Sequence, residues 1–596
     1  MIDDTSNVNM DTKTTWQPNW AARLTIADAL FALVALAAGL LRLVNLGSLP
    51  LSPSEAEAAL AVWRFWQPGH TAVFPGSPAY FTLTALATQV LGFSDAVMRL
   101  VPALFGVALV LLPWLLRQRM GPVGALITAV FLAVSPITTI TARTAGGEAI
   151  ALFAIFLLLA AWVRWQDSRD GRWAITLAAA LGLGIASAPL FYSGLAALGI
   201  AWFWQTTIGP RLNQPEETGE VDETAAETET EKETAVGPAA ALTGLIVFLM
   251  LTTTFLFNLS GIGGGTAVFT AWVQQFGRSD LEPVIKPFLA IARYDLTLII
   301  VGFAAFVWAS WNRQALPRLF VYWLLGGFAI ILLQQGIISN AALAPLAGYL
   351  LLGCFATAII GDKIHLRGWG LTIGLLIVWG LMFVNISRFL RISVFNPTDF
   401  SHIWIALFGL TLALTTIYFL ITWDVRSTYQ GVLLSVLAML FLYQWGTASW
   451  LGQMAANDPR ETWVTTGTDD DVGSLIRQIE LLSWQIVGSG TDIDLYSAVN
   501  SPVLAWYLRD FPQAQIGDSL PPAATFSLIL TPDVAEPALG SDYMGADFGL
   551  LHTGVVSSGL SVSPILDTLR WWLFQESTAV SQQQRLVLWL RADLTQ

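Results

Sequence analysis

The stretch Leu51–Gly92 reads LSPSEAEAALAVWRFWQPGHTAVFPGSPAYFTLTALATQVLG. It follows the first long hydrophobic segment and is too charged, and too interrupted by Pro and Gly, to cross a bilayer. Its spacing predicts two short helices at a membrane surface, with Glu55 at the start of the first and Pro78 at the start of the second. The rest of the chain reads as a scaffold that holds this loop over a cavity at one face of a membrane.

The composition sets that membrane context. Of 596 residues, 55% are hydrophobic and 12% charged, and the mean hydropathy is +0.61. Soluble domains carry about a quarter charged residues. Apolar windows of roughly 20 residues recur, which defines a polytopic helical membrane protein. The 26 Trp suit long membrane–water interfaces. The net charge of −13 is concentrated in two places. Residues 216–233 hold nine carboxylates against one Lys, and residues 457–596 hold 17 against six Arg. The membrane part is therefore not strongly acidic, and no basic patch points to nucleic acid. The single Cys354 rules out an intrachain disulfide framework or a Cys-based metal site. No cleavable signal peptide is expected, because the first 25 residues are polar and the next segment is long enough to span.

Taken in order, residues 1–25 form a polar cytoplasmic tail, and 26–206 a transmembrane module with the surface helices at 52–92. Residues 207–236 are an acidic linker, expected to be disordered and cytoplasmic. Residues 237–450 carry further spans. The count is about 13 if Ala79–Leu91 stays in the interface and 14 if it crosses. Basic residues decide for about 13. Arg117, Arg119, Arg164, Arg169, Arg172, Arg313, Arg318, Lys363, Arg367 and Arg426 then share one side with the linker. The opening loop, Arg143, the loop 260–295 and the C-terminal region fall outside. In residues 457–596 the pattern changes: strands at Thr462–Thr466, Asp492–Ser497, Phe526–Thr531 and Arg585–Leu590 alternate with helices at Asp470–Ile486 and Val503–Phe511. The fold class is an all-α polytopic membrane protein with a C-terminal extracytoplasmic α/β domain.

Three places are candidates for chemistry. On the first surface helix, Glu55, Ala59, Val62 and Trp66 share one face, while Glu57 and Arg64 share the opposite one. Glu55 is thus a carboxylate on an apolar side, where desolvation raises a pKa towards that of a general base. The alternative is a helix cap behind Ser52 or Ser54. In Ala142–Glu148, ARTAGGE, Arg143 suits phosphate oxygens and Glu148 a polar ligand group. The alternative is an Arg reaching for lipid headgroups and a Glu at a helix start. In the loop 260–295, a flexible GIGGG at 261–265 precedes Arg278, Lys286 and Arg293, cations suited to a polyanionic headgroup or to an ordinary interfacial segment. Trp506–Asp510, WYLRD, reads as an amphipathic helix whose Trp506 and Arg509 could face sugar. His70, His365, His402 and His552 are far apart, and no metal motif is visible.

Together these features resemble the GT-C superfamily of membrane glycosyltransferases, nearest its protein-mannosyltransferase-like and aminoarabinose-transferase-like groups. The residues that carry the resemblance are Ser54-Glu55-Ala56, the proline-started helix ending in Leu-Gly-Phe-Ser within Ser77–Ser94, and RLVPALFG at Arg99–Gly106. Gly121, Ser135-Pro136, Ala142-Arg143 and Glu148 follow in order. The resemblance implies an inverting transfer of a sugar from a polyprenyl-phosphate donor to a lipid, glycan or protein acceptor on the outer face. Glu55 takes the acidic-motif position, Arg143 the phosphate-contacting position and Glu148 the second acidic position. Arg64, Arg278, Lys286 and Arg293 are further candidate contacts. No cofactor beyond the lipid-linked sugar is implied, and membrane lipids are the other partners. One departure stands out: the motif is usually Asp-Glu with the Asp as base, and here that position is Ser54. Either Glu55 or Glu57 has taken over, or the chain is an inactive scaffold. The basic residue often found before the second helix is also missing, replaced by Gly76 and Ser77. A lipid-linked glycan transporter is the other function class, disfavoured because the charges lie at span ends rather than at the midplane.

Overall fold

A computed structural model of the chain describes residues 25–68, 76–207, 223–277, 284–312, 314–361, 365–393, 400–422, 424–522, 525–533, 539–555, 564–577 and 580–595. Local sequence sets where the first helices begin. α1 (Ile26–Leu43) opens on a capping box between Thr25 and Asp28. α2 (Pro53–Phe65) opens on a second box, Ser52 with Glu55, and has Pro at its first position. α3 (Pro78–Leu91) is capped by Ser77 and stops at Gly92, whose φ of +77° suits a residue without Cβ. α4 (Asp95–Leu111), α5 (Arg117–Val134), α6 (Pro136–Arg143) and α7 (Glu148–Ser168) follow.

The protein is a multi-pass membrane protein. Among the described residues, eight helical segments are long and apolar enough to cross a membrane. The number is nine if the pair Ile285–Tyr294 and Leu298–Trp311, bent by 103°, counts as one. The expected number of about 13 is not reached on this measure. Gly171–Ile185 and Gly237–Thr252 are short, and Asp95–Val134 counts as one 40-residue segment although Gly121 (φ +78°) breaks it. Close helix crossings rest on small residues. A Cβ on Gly124 would lie 2.4 Å from Thr357 Oγ1 and 2.7 Å from the Gly353 carbonyl, so α5 can approach Leu343–Ile360 only as it is.

Two expectations need correction. The acidic linker is helical from Glu223 onward, because Glu223–Thr252 is one helix that carries the Ala- and Glu-rich stretch straight into the apolar one. The remainder, 208–222, lies outside the described residues. The glycines 261–265 do not form a flexible loop. Ile262–Gln274 is a helix, and a Cβ on Gly265 would lie 2.6 Å from the Phe248 ring.

The C-terminal region is a six-stranded mixed sheet with flanking helices. The strands are β1 Thr466–Thr468, β2 Leu495–Ser497, β3 Ala514–Ile516, β4 Leu528–Pro532, β5 Tyr543–Val555 and β6 Val580–Arg591. Their order is β1-β5-β6-β4-β2-β3, parallel only at β4-β2-β3. The domain does not stand apart from the membrane helices. Ala56, Ala59 and Leu60 of α2 share one hydrophobic core with Val472, Leu475 and Val503. One side of α2 is therefore packed against the C-terminal domain.

Candidate active site

Two cavities adjoin beside α2, of about 380 and 390 Å³. Glu55, Arg99 and Arg143 line the first. Glu148, Ser77, Tyr80 and Gly147 line the second. Ser54, Thr144 and Trp463 belong to both, so they form the boundary. The first cavity carries two guanidinium groups against one carboxylate, and the second carries the Glu148 carboxylate. Glu55, Arg143 and Glu148 are thus brought to one region, on two sides of a shared wall.

Glu55 is the most constrained of them. Its Oε1 accepts from Arg99 Nε (2.8 Å) and from the Ala145 amide (2.7 Å). Its Oε2 accepts from Arg99 Nη2 (2.7 Å) and from the Ser52 amide (2.9 Å). Only 3% of the residue is exposed. Burial alone would raise the carboxyl, but the Arg99 charge and these hydrogen bonds hold it below its ordinary value. The sequence expectation of a raised, base-like Glu55 is therefore corrected. The capping reading and the burial are both present, because the same carboxylate caps α2 and pairs with an Arg from α4.

Arg143 and Arg99 divide the loop between α1 and α2. Arg143 donates from Nε to the Gly452 carbonyl (2.7 Å) and from Nη1 to the carbonyls of Leu41, Arg42 and Val44. Its Nη2 donates to the Asn45 carbonyl (2.9 Å). Carbonyls at the end of a helix have no partner within it, and here a guanidinium supplies one. Arg99 takes over from there, donating to the carbonyls of Leu46, Leu49 and Pro50. The loop delivers Ser54, in the first turn of α2, to the boundary of the cavities with its backbone held at five carbonyls, Val44, Asn45, Leu46, Leu49 and Pro50.

Glu148 opens α7 and is half-buried. No hydrogen bond from another residue to its carboxylate is present among the described residues, in contrast to the four on Glu55. Its surroundings are tight: a Cβ on Gly147 would lie 2.3 Å from Ser77 Oγ and 2.5 Å from the Ser187 carbonyl. That glycine lets the α6–α7 connection close onto the start of α3.

The other candidates lie elsewhere. Glu57 and Arg64 are exposed and line neither cavity, as expected of the outward face of α2. Lys286 and Arg293 line neither cavity. Arg293 donates to Thr462 Oγ1 (2.8 Å) and stacks on Trp571. Arg278 lies outside the described residues. Trp506 and Arg509 line neither of these two cavities. Trp506 Nε1 and Tyr507 Oη both donate to Asp95, at 2.8 and 2.6 Å, and Tyr507 Oη accepts from the Leu51 amide. WYLRD is thus the seat by which the C-terminal domain holds α4 and the loop before α2. Sequence reasoning missed Arg99 and Trp463 as parts of the site, and Asp95 as the anchor of Trp506 and Tyr507. For Arg99 the signal was there: an arginine inside an otherwise apolar span needs a buried partner.

A first span, the two capped helices α2 and α3, a cavity at the start of α7 and a C-terminal mixed domain packed on α2 form an arrangement that matches the GT-C fold of solved structures. The residues matched by the family model for dolichyl-phosphate-mannose-protein mannosyltransferase are 75–212. Among solved structures, ArnT from Cupriavidus metallidurans bound to undecaprenyl phosphate is similar in fold, with a TM-score of 0.55 and 16% identity over 85% of this chain and 93% of that one. The same protein in the apo state aligns with a TM-score of 0.49 and 17% identity over 81% and 84%. The oligosaccharyltransferase from Archaeoglobus fulgidus in complex with Zn and sulfate aligns with a TM-score of 0.41 and 13% identity over 84% and 68%. No curated protein sequence matches the chain. The resemblance to the GT-C superfamily read from the sequence is borne out.

Proposed function

We propose that this chain transfers a sugar from a polyprenyl-phosphate carrier to a hydroxyl of a lipid, glycan or protein acceptor, at the outer face of the membrane. The observation that carries the reading is the meeting of a cationic and an acidic cavity at Ser54, Thr144 and Trp463. The donor phosphate belongs on the Arg99–Arg143 side, where positive charge stabilises a departing phosphate. The acceptor belongs on the Glu148 side. Its hydroxyl oxygen attacks the anomeric carbon, the bond from that carbon to the phosphate oxygen breaks, and polyprenyl phosphate leaves. Glu148 accepts the hydroxyl proton. Attack opposite the leaving group inverts the anomeric centre. Glu55 then serves as a positioning residue that fixes the first turn of α2, which carries Ser54.

A catalytically inactive scaffold is the second reading, favoured by Ser54 at the motif position and by the complete engagement of Glu55. Purified full-length chain in nanodiscs with polyprenyl-phosphate mannose separates the two. Release of polyprenyl phosphate, dependent on added membrane acceptors, supports transfer. Donor that stays intact under all acceptors removes it.

A further inference from the structure

Trp463 lines both the Arg99–Arg143 cavity and the Glu148 cavity, and it is the one aromatic residue among the three that do. It is half-buried and packs in part against the core of the membrane helices. The chain holds it firmly. Three consecutive residues are tied to Arg293 and Tyr294, at the end of the helix Ile285–Tyr294. Glu461 Oε2 accepts from Tyr294 Oη (2.9 Å), Thr462 Oγ1 accepts from Arg293 Nη1 (2.8 Å), and the Trp463 amide donates to Tyr294 Oη (3.2 Å). Trp571 Nε1 also donates to Glu461 Oε1 (3.1 Å). A side chain fixed in this way has little freedom left to lose when it meets a ligand.

The boundary differs in chemistry from the spaces on either side of it. Arginines line one cavity and Glu148 the other, but Ser54, Thr144 and Trp463 carry no charge. The Thr144 hydroxyl donates to the Ile140 carbonyl (2.9 Å), which leaves its lone pairs to accept. Among the described residues the Trp463 indole N–H has no hydrogen-bond partner, and its nitrogen is not sealed off as those of Trp323 and Trp450 are. Two hydroxyls, a free N–H and an aromatic plane suit a pyranose, whose rim is polar and whose C–H face is apolar. A phosphate would find no cation among these three residues, and an acyl chain would meet two hydroxyls.

We propose that Trp463 is the sugar platform of the donor: the pyranose to be transferred lies against its indole, between the phosphate and acceptor sides. The assignment rests on the proposed transfer, which needs the reacting atoms about 3–3.5 Å apart and so puts the anomeric carbon at the boundary. The test is native mass spectrometry of the full-length chain, titrated with polyprenyl-phosphate mannose and, separately, with polyprenyl phosphate. Trp463→Ala and Trp463→Leu should weaken binding of the mannosylated lipid about ten-fold or more, as for truncation of an aromatic anchor, and leave binding of polyprenyl phosphate unchanged. Trp463→Phe, which keeps an aromatic face, should recover most of the loss. Leucine refills much of the space that alanine empties, and melting curves show which variant is folded; the folded one decides. Wild-type affinity of that variant for the mannosylated lipid overturns the proposal. So does an equal loss for both lipids, the mark of a merely structural residue. Wild-type protein that binds neither lipid overturns the transfer reading itself, and this proposal with it.

Discussion

Arg99 of α4 grips Glu55 of α2 through two parallel hydrogen bonds of 2.8 and 2.7 Å, and both side chains are at least nine-tenths buried. The pair joins the start of α2, where Ser54 lies, to α4.

Removing one partner leaves the other charge buried alone, at a cost of about 3–5 kcal/mol. Glu55→Gln is expected to lower the melting temperature of the purified protein strongly. Arg99→Lys should not rescue it, because a lysine cannot reproduce the two-pronged geometry. Equal melting of wild type and Glu55→Gln would show that the pair does not hold the loop.

Two carboxyls give stability opposite pH dependences. The Glu55 carboxyl lies below its ordinary value of 4.5 in the folded state. Its contribution is complete above that value and is lost as pH falls through the lower, folded one. Glu461 accepts from Tyr294 Oη and Trp571 Nε1, and burial pushes its carboxyl above 4.5 despite them. Stability therefore falls as pH rises from 4.5 through its folded value. Glu461→Gln should flatten that decline in melting scans without changing the loss in acid. A decline that persists in the variant would assign it to another group.

Tyr507 Oη bridges Asp95 and the Leu51 amide. Tyr507→Phe removes both bonds, and hydrogen bonds to charged groups are worth about 1.5–3 kcal/mol. Hydrogen exchange should rise at the amides of Leu49, Leu51, Ser52 and Ser54 and stay unchanged in the middle of α1. Unchanged protection at Leu51 would mean the C-terminal domain does not pin the loop.

Gly147 allows the α6–α7 connection to sit against Ser77 and Ser187. Gly147→Ala overpacks this contact, which costs about 1–3 kcal/mol in a packed core. A melting temperature equal to that of wild type would show that the contact can relax.

The sequence made α2 and α3 legible because their signals are local: Ser52-Pro53-x-Glu55 and Ser77-Pro78 are start signals readable without neighbours. Hydropathy made the membrane spans legible. The C-terminal strands at 495–497, 528–532 and 580–591 overlap their expected positions, but β3, β5 and the helix Pro564–Phe574 had no expectation. β5 carries Gly545, Gly549 and Gly554 and pairs with β6 from Tyr543 to Val555 apart from a bulge at Leu550, so its partner, not its own composition, makes it a strand. The site was legible in part. Residue type and position made Glu55, Arg143 and Glu148 candidates and the family resemblance gave them roles, yet the first two are held by partners 44 to 309 residues away. Desolvation of Glu55 was visible from helical spacing. Its compensation by Arg99 was not, because tertiary pairing leaves no mark on spacing.

The most direct measurement is the rate of polyprenyl phosphate release from polyprenyl-phosphate mannose by Glu148→Gln in nanodiscs, beside its melting curve. Loss of a positioned general base typically costs about 10²–10⁴-fold. The expected result is a fall of that size with melting unchanged, since no hydrogen bond to the Glu148 carboxylate is lost among the described residues. A folded Glu148→Gln that releases polyprenyl phosphate at the wild-type rate would contradict Glu148 as the carboxylate that has replaced the acid missing at Ser54.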